Sequence, residues 1–141
     1  MDDILLAVDG NEGTETAIER GISLADQYGA NLHILYVVDT GAVPALADSA
    51  AVIEKLQNRG DDALEDAVER AERAGLDTIE TNVEHDRPSE GILEYAEEND
   101  VDLIVMGTRG RAGLERRLLG SVSDRVVRLA EIPVLTVPDR E

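Results

Sequence analysis

Short apolar runs alternate along the chain with longer stretches in which apolar residues recur every three or four positions. Ile4-Leu5-Leu6-Ala7-Val8 is a run of strand length, followed by a polar turn, Asp9-Gly10-Asn11-Glu12-Gly13. Ala17, Ile18, Gly21, Ile22, Ala25 and Tyr28 then fall at helical spacing, and Gly29 closes that helix. Leu32 to Val38 is a second strand-like run. Asp39 to Ser49 is a loop carrying Gly41 and Pro44, long enough for a lid or specificity loop. From Ala50 to Ala74 the helical period returns, with Ile53, Leu56, Gly60, Leu64, Ala67, Val68 and Ala71 on one face, and Gly75 ends it. Thr78 to Glu84 alternates like a strand near a sheet edge. Pro88 suits a helix N-terminus, and the helix carries Ile92, Leu93, Tyr95 and Ala96 to about Asn99. Val101 to Met106 is the most apolar strand, interrupted only by Asp102. A glycine-rich stretch runs from Gly107 to Gly120, then a helix from about Ser121 to Ala130, then a last strand, Ile132 to Val137, before Pro138.

The order is therefore β-α-β-α-β-α-β-α-β. Strict alternation with apolar strands predicts a parallel sheet covered on both faces, and right-handed crossovers make it a doubly wound α/β sheet. Ligands in such sheets sit at the carboxyl ends of strands where the strand order reverses. The ends of the first and fourth strands, followed by Asp9-Gly10 and by Gly107-Thr108-Arg109-Gly110, are the natural place for a site.

Length and composition narrow the class. The 141 residues suit one domain, 1–141, with one core. With no Trp and no Phe, that core is built from Leu, Ile, Val and Ala. The net charge is −18, and Lys55 is the one lysine among 13 basic residues. The acids are spread along every helix, which favours an acidic solubility shell over a surface recruiting a basic partner. Scarce lysine with abundant acid suggests a halophilic protein, whose self-repulsion salt would screen. Nucleic-acid binding lacks the basic footprint it needs. The absence of cysteine excludes disulfides, thiol catalysis and thiolate metal sites. No basic leader and no long apolar run is visible, so no membrane association is expected and the cytoplasm is the expected compartment. His33 and His85 suggest no third ligand for a metal, and no nucleophile sits beside a histidine base.

The segment Gly107 to Ser123 carries most of the candidate chemistry. Glycines let a backbone approach a ligand and turn its N–H groups toward it. Gly120-Ser121-Val122-Ser123 lies where a helix begins, and free N–H groups with the positive dipole end make an anion site there. The Ser121 and Ser123 hydroxyls can donate to phosphate oxygens or cap the helix. Between Gly107 and Arg128 there are six arginines against two acids, a positive patch in an acidic chain. It reads as a site for an anionic ligand or as a surface loop pairing with acidic helices. The stretch is neither a Walker loop, having no Gly-Lys-Ser/Thr, nor a dinucleotide fingerprint, which belongs after the first strand.

The spacing Gly107-x2-Gly110-x9-Gly120-Ser121 resembles the motif of ATP-binding universal stress proteins. The flanks Val101 to Met106 and Ile132 to Val137, and the opening Ile4 to Asp9, are similar to the family's strands, so the resemblance covers essentially the whole chain. It implies that ATP, AMP or ADP is the ligand, with or without magnesium. It assigns to the nucleotide Asp9, Val37, Met106, Gly107, Arg109, Gly110, Gly120, Ser121, Val122 and Ser123. The glycine backbones and the serines would hold ribose and phosphates, Asp9 would lie near the ribose or a phosphate-bound magnesium, and the Val37 backbone would meet adenine. Arg109 reaches phosphate or is a solvated arginine; both readings stand. Asn11 replaces a usual serine, and Asp86 replaces a glycine common near the pocket mouth, which puts access there in question.

The expected architecture is a five-stranded parallel sheet, order 3-2-1-4-5, with helices on both faces. Its last strand, Ile132 to Val137, is an exposed edge that by resemblance pairs with its twin in a homodimer. The expected function is a nucleotide-dependent stress-response sensor or signalling module. The alternatives are a slow ATPase or phosphoryl-transfer enzyme, for which no general base is evident, and a non-binding structural dimer, against which the intact glycine spacing argues.

Overall fold

The computed structural model describes residues 1–10, 14–40, 49–108 and 120–138. The elements follow as β1 (Asp3–Val8), α1 (Glu15–Tyr28), β2 (Asn31–Asp39), α2 (Ser49–Arg73), β3 (Ile79–Asp86), α3 (Pro88–Glu98), β4 (Leu103–Gly107), α4 (Ser121–Leu129) and β5 (Val134–Val137). All strand pairs are parallel, as the alternating pattern predicts, and the sheet has the expected order β3-β2-β1-β4-β5.

Because strand side chains alternate, each central strand feeds two cores. Ile4, Leu6 and Val8, Leu32, Ile34, Tyr36 and Val38, and Leu103 and Val105 pack with Ile18, Ile22 and Ala25 of α1 and Leu64, Ala67 and Ala71 of α2. Leu5, Leu35 and Val37, with Ile104 and Met106, pack with Ile92, Tyr95 and Ala96 of α3 and Val126 of α4. This explains why β1 and β2 read as continuous apolar runs: both of their faces are covered. Ile4, Leu5, Leu6, Leu32, Ile34, Leu35 and Ile104 are wholly buried, and each such side chain contributes roughly 2–3 kcal/mol.

The structure departs from the sequence reading in the following places, each with a physical cause. β4 begins at Leu103 rather than Val101, because Asp102 is diverted: its carboxylate accepts from the Asp2 and Asp3 N–H groups at 2.8 and 3.0 Å, and its own N–H donates to the Asp3 carbonyl at 2.8 Å. β5 begins at Val134, after Pro133, which has no N–H to give a ladder. β3 runs two residues past Glu84 because Val38 and Asp39 continue to pair with His85 and Asp86. Tyr28, expected on the apolar face of α1, is 53% exposed at the helix's last residue. Gly29 then closes α1 at φ 63°.

The surface joins these elements weakly. Arg70 of α2 reaches Asp66 at 3.0 Å, Glu19 of α1 at 3.2 Å and Glu15 at 3.9 Å. At the amino-terminal end of the sheet a buried polar chain is fully satisfied. His33 Nδ1 lies 2.7 Å from the Tyr95 hydroxyl and His33 Nε2 lies 2.9 Å from Asp3 Oδ1. Asn82 Nδ2 donates to the same hydroxyl at 2.9 Å, and Asn31 Nδ2 donates to Asp3 at 3.1 Å. The Asp3 carboxylate only accepts, so Nε2–H donates to it, and in that tautomer the Tyr95 hydroxyl donates to Nδ1. His33 is thus committed to the packing of β2 on α3. Among the described residues no helix is long and apolar enough to cross a membrane.

Candidate functional site

The strand order reverses between β1 and β4, whose neighbours lie on opposite sides, and a cavity of about 540 Å³ opens beyond their carboxyl ends. That volume lies within the range of small-molecule sites. One wall, continuing the α3/α4 core, is apolar: Ala7, Leu35, Val37, Ile92, Met106 and Val122, with Pro88 at the start of α3. The opposite wall continues the α1/α2 core through Val8, Tyr36 and Leu56 and adds Arg59 from α2. Polar groups close the third side: Asp9, Thr14, Asp39, Gly107, Thr108, Gly120, Ser121 and Ser123.

α4 is aimed into this cavity by a short staple. The Gly120 N–H donates to the Thr108 carbonyl, and the Thr108 N–H donates to Val137 at 3.2 Å, tying the entry of α4 to the ends of β4 and β5. The first bond inside the helix runs from the Asp124 N–H to the Gly120 carbonyl at 2.9 Å. The N–H groups of Ser121, Val122 and Ser123 therefore precede the helical ladder and form the positive end of the helix. Gly120 occupies the N-cap in an extended conformation and no side chain caps the helix. The Ser123 hydroxyl is 2% exposed and directed at two carbonyls, Gly120 at 3.1 Å and Thr108 at 3.3 Å. What Ser123 presents to the cavity side is thus its backbone, while its hydroxyl secures the turn.

Eight of the ten residues singled out from the sequence line this one cavity: Asp9, Val37, Met106, Gly107, Gly120, Ser121, Val122 and Ser123. Arg109 and Gly110 lie outside the described residues, as do Asn11, the loop residues 41–48 and three further arginines of the positive patch, Arg111, Arg116 and Arg117. Asp86 is not part of the lining; its carboxylate accepts from the Arg87 N–H at 2.7 Å. Tyr36, Leu56, Arg59 and Asp39 join the site without having been singled out. Tyr36 and Leu56 read as core because they obey the strand and helix periods, and Arg59 carries no motif. Burial raises the Tyr36 phenol above its ordinary value; Arg59 opposes this, while Asp9 and Asp39 add to it. The phenol is therefore a neutral hydrogen-bonding group at the site.

A family model described as "Universal stress protein family" matches residues 1–138. The chain belongs to the universal stress protein family. A universal stress protein of Methanocaldococcus jannaschii is 38% identical over 137 residues, covering 95% of this chain and 80% of that protein. Among solved structures, universal stress protein UspA from Lactobacillus plantarum superposes with a TM-score of 0.87 at 26% identity, covering 96% of this chain and 97% of that one. A universal stress protein solved in complex with cAMP superposes with a TM-score of 0.72 at 27% identity, covering 99% and 98%.

A second groove of about 360 Å³ lies between α3 and the end of α4, floored by Leu93, Val101, Ile104 and Leu129 and rimmed by Glu94, Glu97, Asp100 and Glu131. It lies by the amino-terminal end of β4, away from the carboxyl ends of the strands, and holds neither glycine loop nor helix N-terminus, so it does not compete as an anion site.

Proposed function

We propose that the chain binds an adenine nucleotide, ATP with ADP or AMP as alternatives, and acts in the cytoplasm as a stress-response sensor that signals by conformation or partner contact. The observation that carries this reading is the helix N-terminus of α4 meeting an apolar slot in one cavity. The slot between Val37, Ile92, Met106 and Val122 suits the flat face of a base. The N–H groups of Ser121 to Ser123, which precede the helical ladder of α4, suit an anion. The relative bound to cAMP supports an adenine nucleotide as the class of ligand. Asp9, in the polar side of the cavity, is suited to ribose hydroxyls, and Arg109 and Gly110 are proposed to complete the phosphate side. A magnesium ion would be held mainly by the phosphates, since among the described residues no group of three potential ligand side chains forms a metal site.

The β5 edge supports the rest of the reading. β5 pairs with β4 on one side only, and Val134, Leu135 and Thr136 remain half-buried. We assign that edge to antiparallel pairing with a second copy. Sedimentation at micromolar concentration tests it: a dimer is expected, and a 15.2 kDa species alone overturns it.

Titration calorimetry with ATP, AMP and cyclic AMP, beside a phosphate-release assay, tests the binding reading. ATP binding without release is expected; sustained release lost in Asp9→Ala supports the slow ATPase instead, and no binding supports the structural dimer. Gly120→Val should abolish ATP binding while the protein stays folded, because a branched side chain would stand where the backbone meets the ligand. Unchanged affinity in that variant removes the site.

A further inference from the structure

Two glycines bring a cation into the cavity from the side opposite the α4 terminus. At Gly60 of α2 a Cβ would overlap the Tyr36 ring, so only glycine lets α2 settle onto β2 at that point. The next residue back, Arg59, is thereby carried to the mouth of the cavity. Its stem lies across Gly10, which has φ 76°: a Cβ there would stand 3.1 Å from Arg59 Cγ, 3.4 Å from Cδ and 3.7 Å from Nε. The guanidinium is felt at the Tyr36 hydroxyl together with the charges of Asp9 and Asp39.

The charges make this placement consequential. Among the described lining residues, Arg59 is the one basic side chain. A helix N-terminus offers about half a charge. Arg59 adds a full positive charge from a second element and offers a planar fork suited to phosphate oxygens. Resting on the nucleotide reading above, we infer that Arg59 is a specificity-determining residue for phosphate number, contacting the phosphate chain from the α2 side and favouring polyphosphate over nucleoside.

The test is calorimetry with ATP, ADP, AMP and adenosine on the wild type, Arg59→Ala, Arg59→Gln and Arg59→Lys, at two salt concentrations, with thermal melts to check folding. Arg59→Ala and Arg59→Gln should bind ATP about tenfold or more weakly, as loss of one charge-assisted contact predicts, while adenosine changes by less than about twofold, within the spread of neutral surface effects. The penalty should shrink from ATP to AMP, Arg59→Lys should recover part of it, and the salt dependence of ATP binding should flatten in both neutral variants. ATP binding unchanged in those variants, or weakened equally for ATP and adenosine, overturns the inference while leaving the nucleotide reading intact. A wild type that binds none of the four ligands overturns both.

Discussion

Tyr95→Phe isolates the polar chain at the base of the sheet. The ring is retained, so the edge contact with His33, 5.6 Å between centroids at 71°, survives and no cavity opens. What goes is one oxygen that lies 2.7 Å from His33 Nδ1 and accepts from Asn82 Nδ2 at 2.9 Å. His33 is only 4% exposed, so loss of the hydroxyl leaves its Nδ1 without that donor; Asn82 is half-buried and can recruit solvent. One lost buried bond and one stranded acceptor give about 2 kcal/mol of destabilisation. For 141 residues, with an unfolding entropy of about 2.1 cal/mol/K per residue, that corresponds to roughly 7 °C in Tm. Urea unfolding should show a lower midpoint at unchanged slope, because the surface exposed on unfolding is nearly the same. The phenol also sets an alkaline signature. Burial, and then Glu80, raise the Tyr95 value above the ordinary phenol near 10. Its contribution is therefore intact below pH about 10 and is lost as pH climbs through the folded value. The variant should lose stability less steeply than wild type above pH 10. A midpoint shifted by less than about 0.5 kcal/mol, the scatter of neutral surface changes, would refute the hydrogen-bond assignment.

Other expectations are shorter. Gly60→Ala drives a methyl into the Tyr36 ring and should cost about 1–3 kcal/mol by overpacking; an unperturbed urea midpoint counts against the close approach. Asp102 is held below the usual carboxylate range by the backbone N–H groups of Asp2 and Asp3. Its stabilisation is present above pH about 4 and is lost as pH falls through the folded value. Stabilities of wild type and Asp102→Asn should therefore converge in acid, and parallel acid curves would contradict the cap. Molar KCl should raise Tm. Glu94 is pushed up first by repulsion from Asp86, then by desolvation and by Glu98, Glu90 and Glu84, and at a net charge of −18 screening this repulsion outweighs the weakening of the exposed Arg70 pairs. An unchanged or lower Tm in salt refutes it.

The parallel α/β fold was legible because periodicity is a local signal: β1 and β2 announce their two covered faces in unbroken apolar runs. The α4 side of the cavity was legible too, because glycine spacing before a helix start is a pattern of neighbours in sequence. The ends of elements were not. Asp102 interrupts β4 by bonding to residues a hundred positions earlier. That fact does not reside in a window of residues around the position.

The α2 wall of the cavity shows the same limit where it touches function. Gly60 reads in sequence as a small residue on an apolar face, and Arg59 as one of twelve arginines on a solvated one. Their meaning comes from Tyr36, whose ring occupies the space a side chain at 60 would take, and from Gly10, whose missing Cβ leaves room for the arginine stem. Tyr36, Arg59 and Gly60 satisfy their own local periods and Gly10 sits in a turn, so no periodic test flags any of them. Only the juxtaposition of β1, β2 and α2 turns two absent side chains into a positioned charge. The half of the site built from consecutive residues can therefore be read before folding, whereas the half built from separate elements has to be read from their packing.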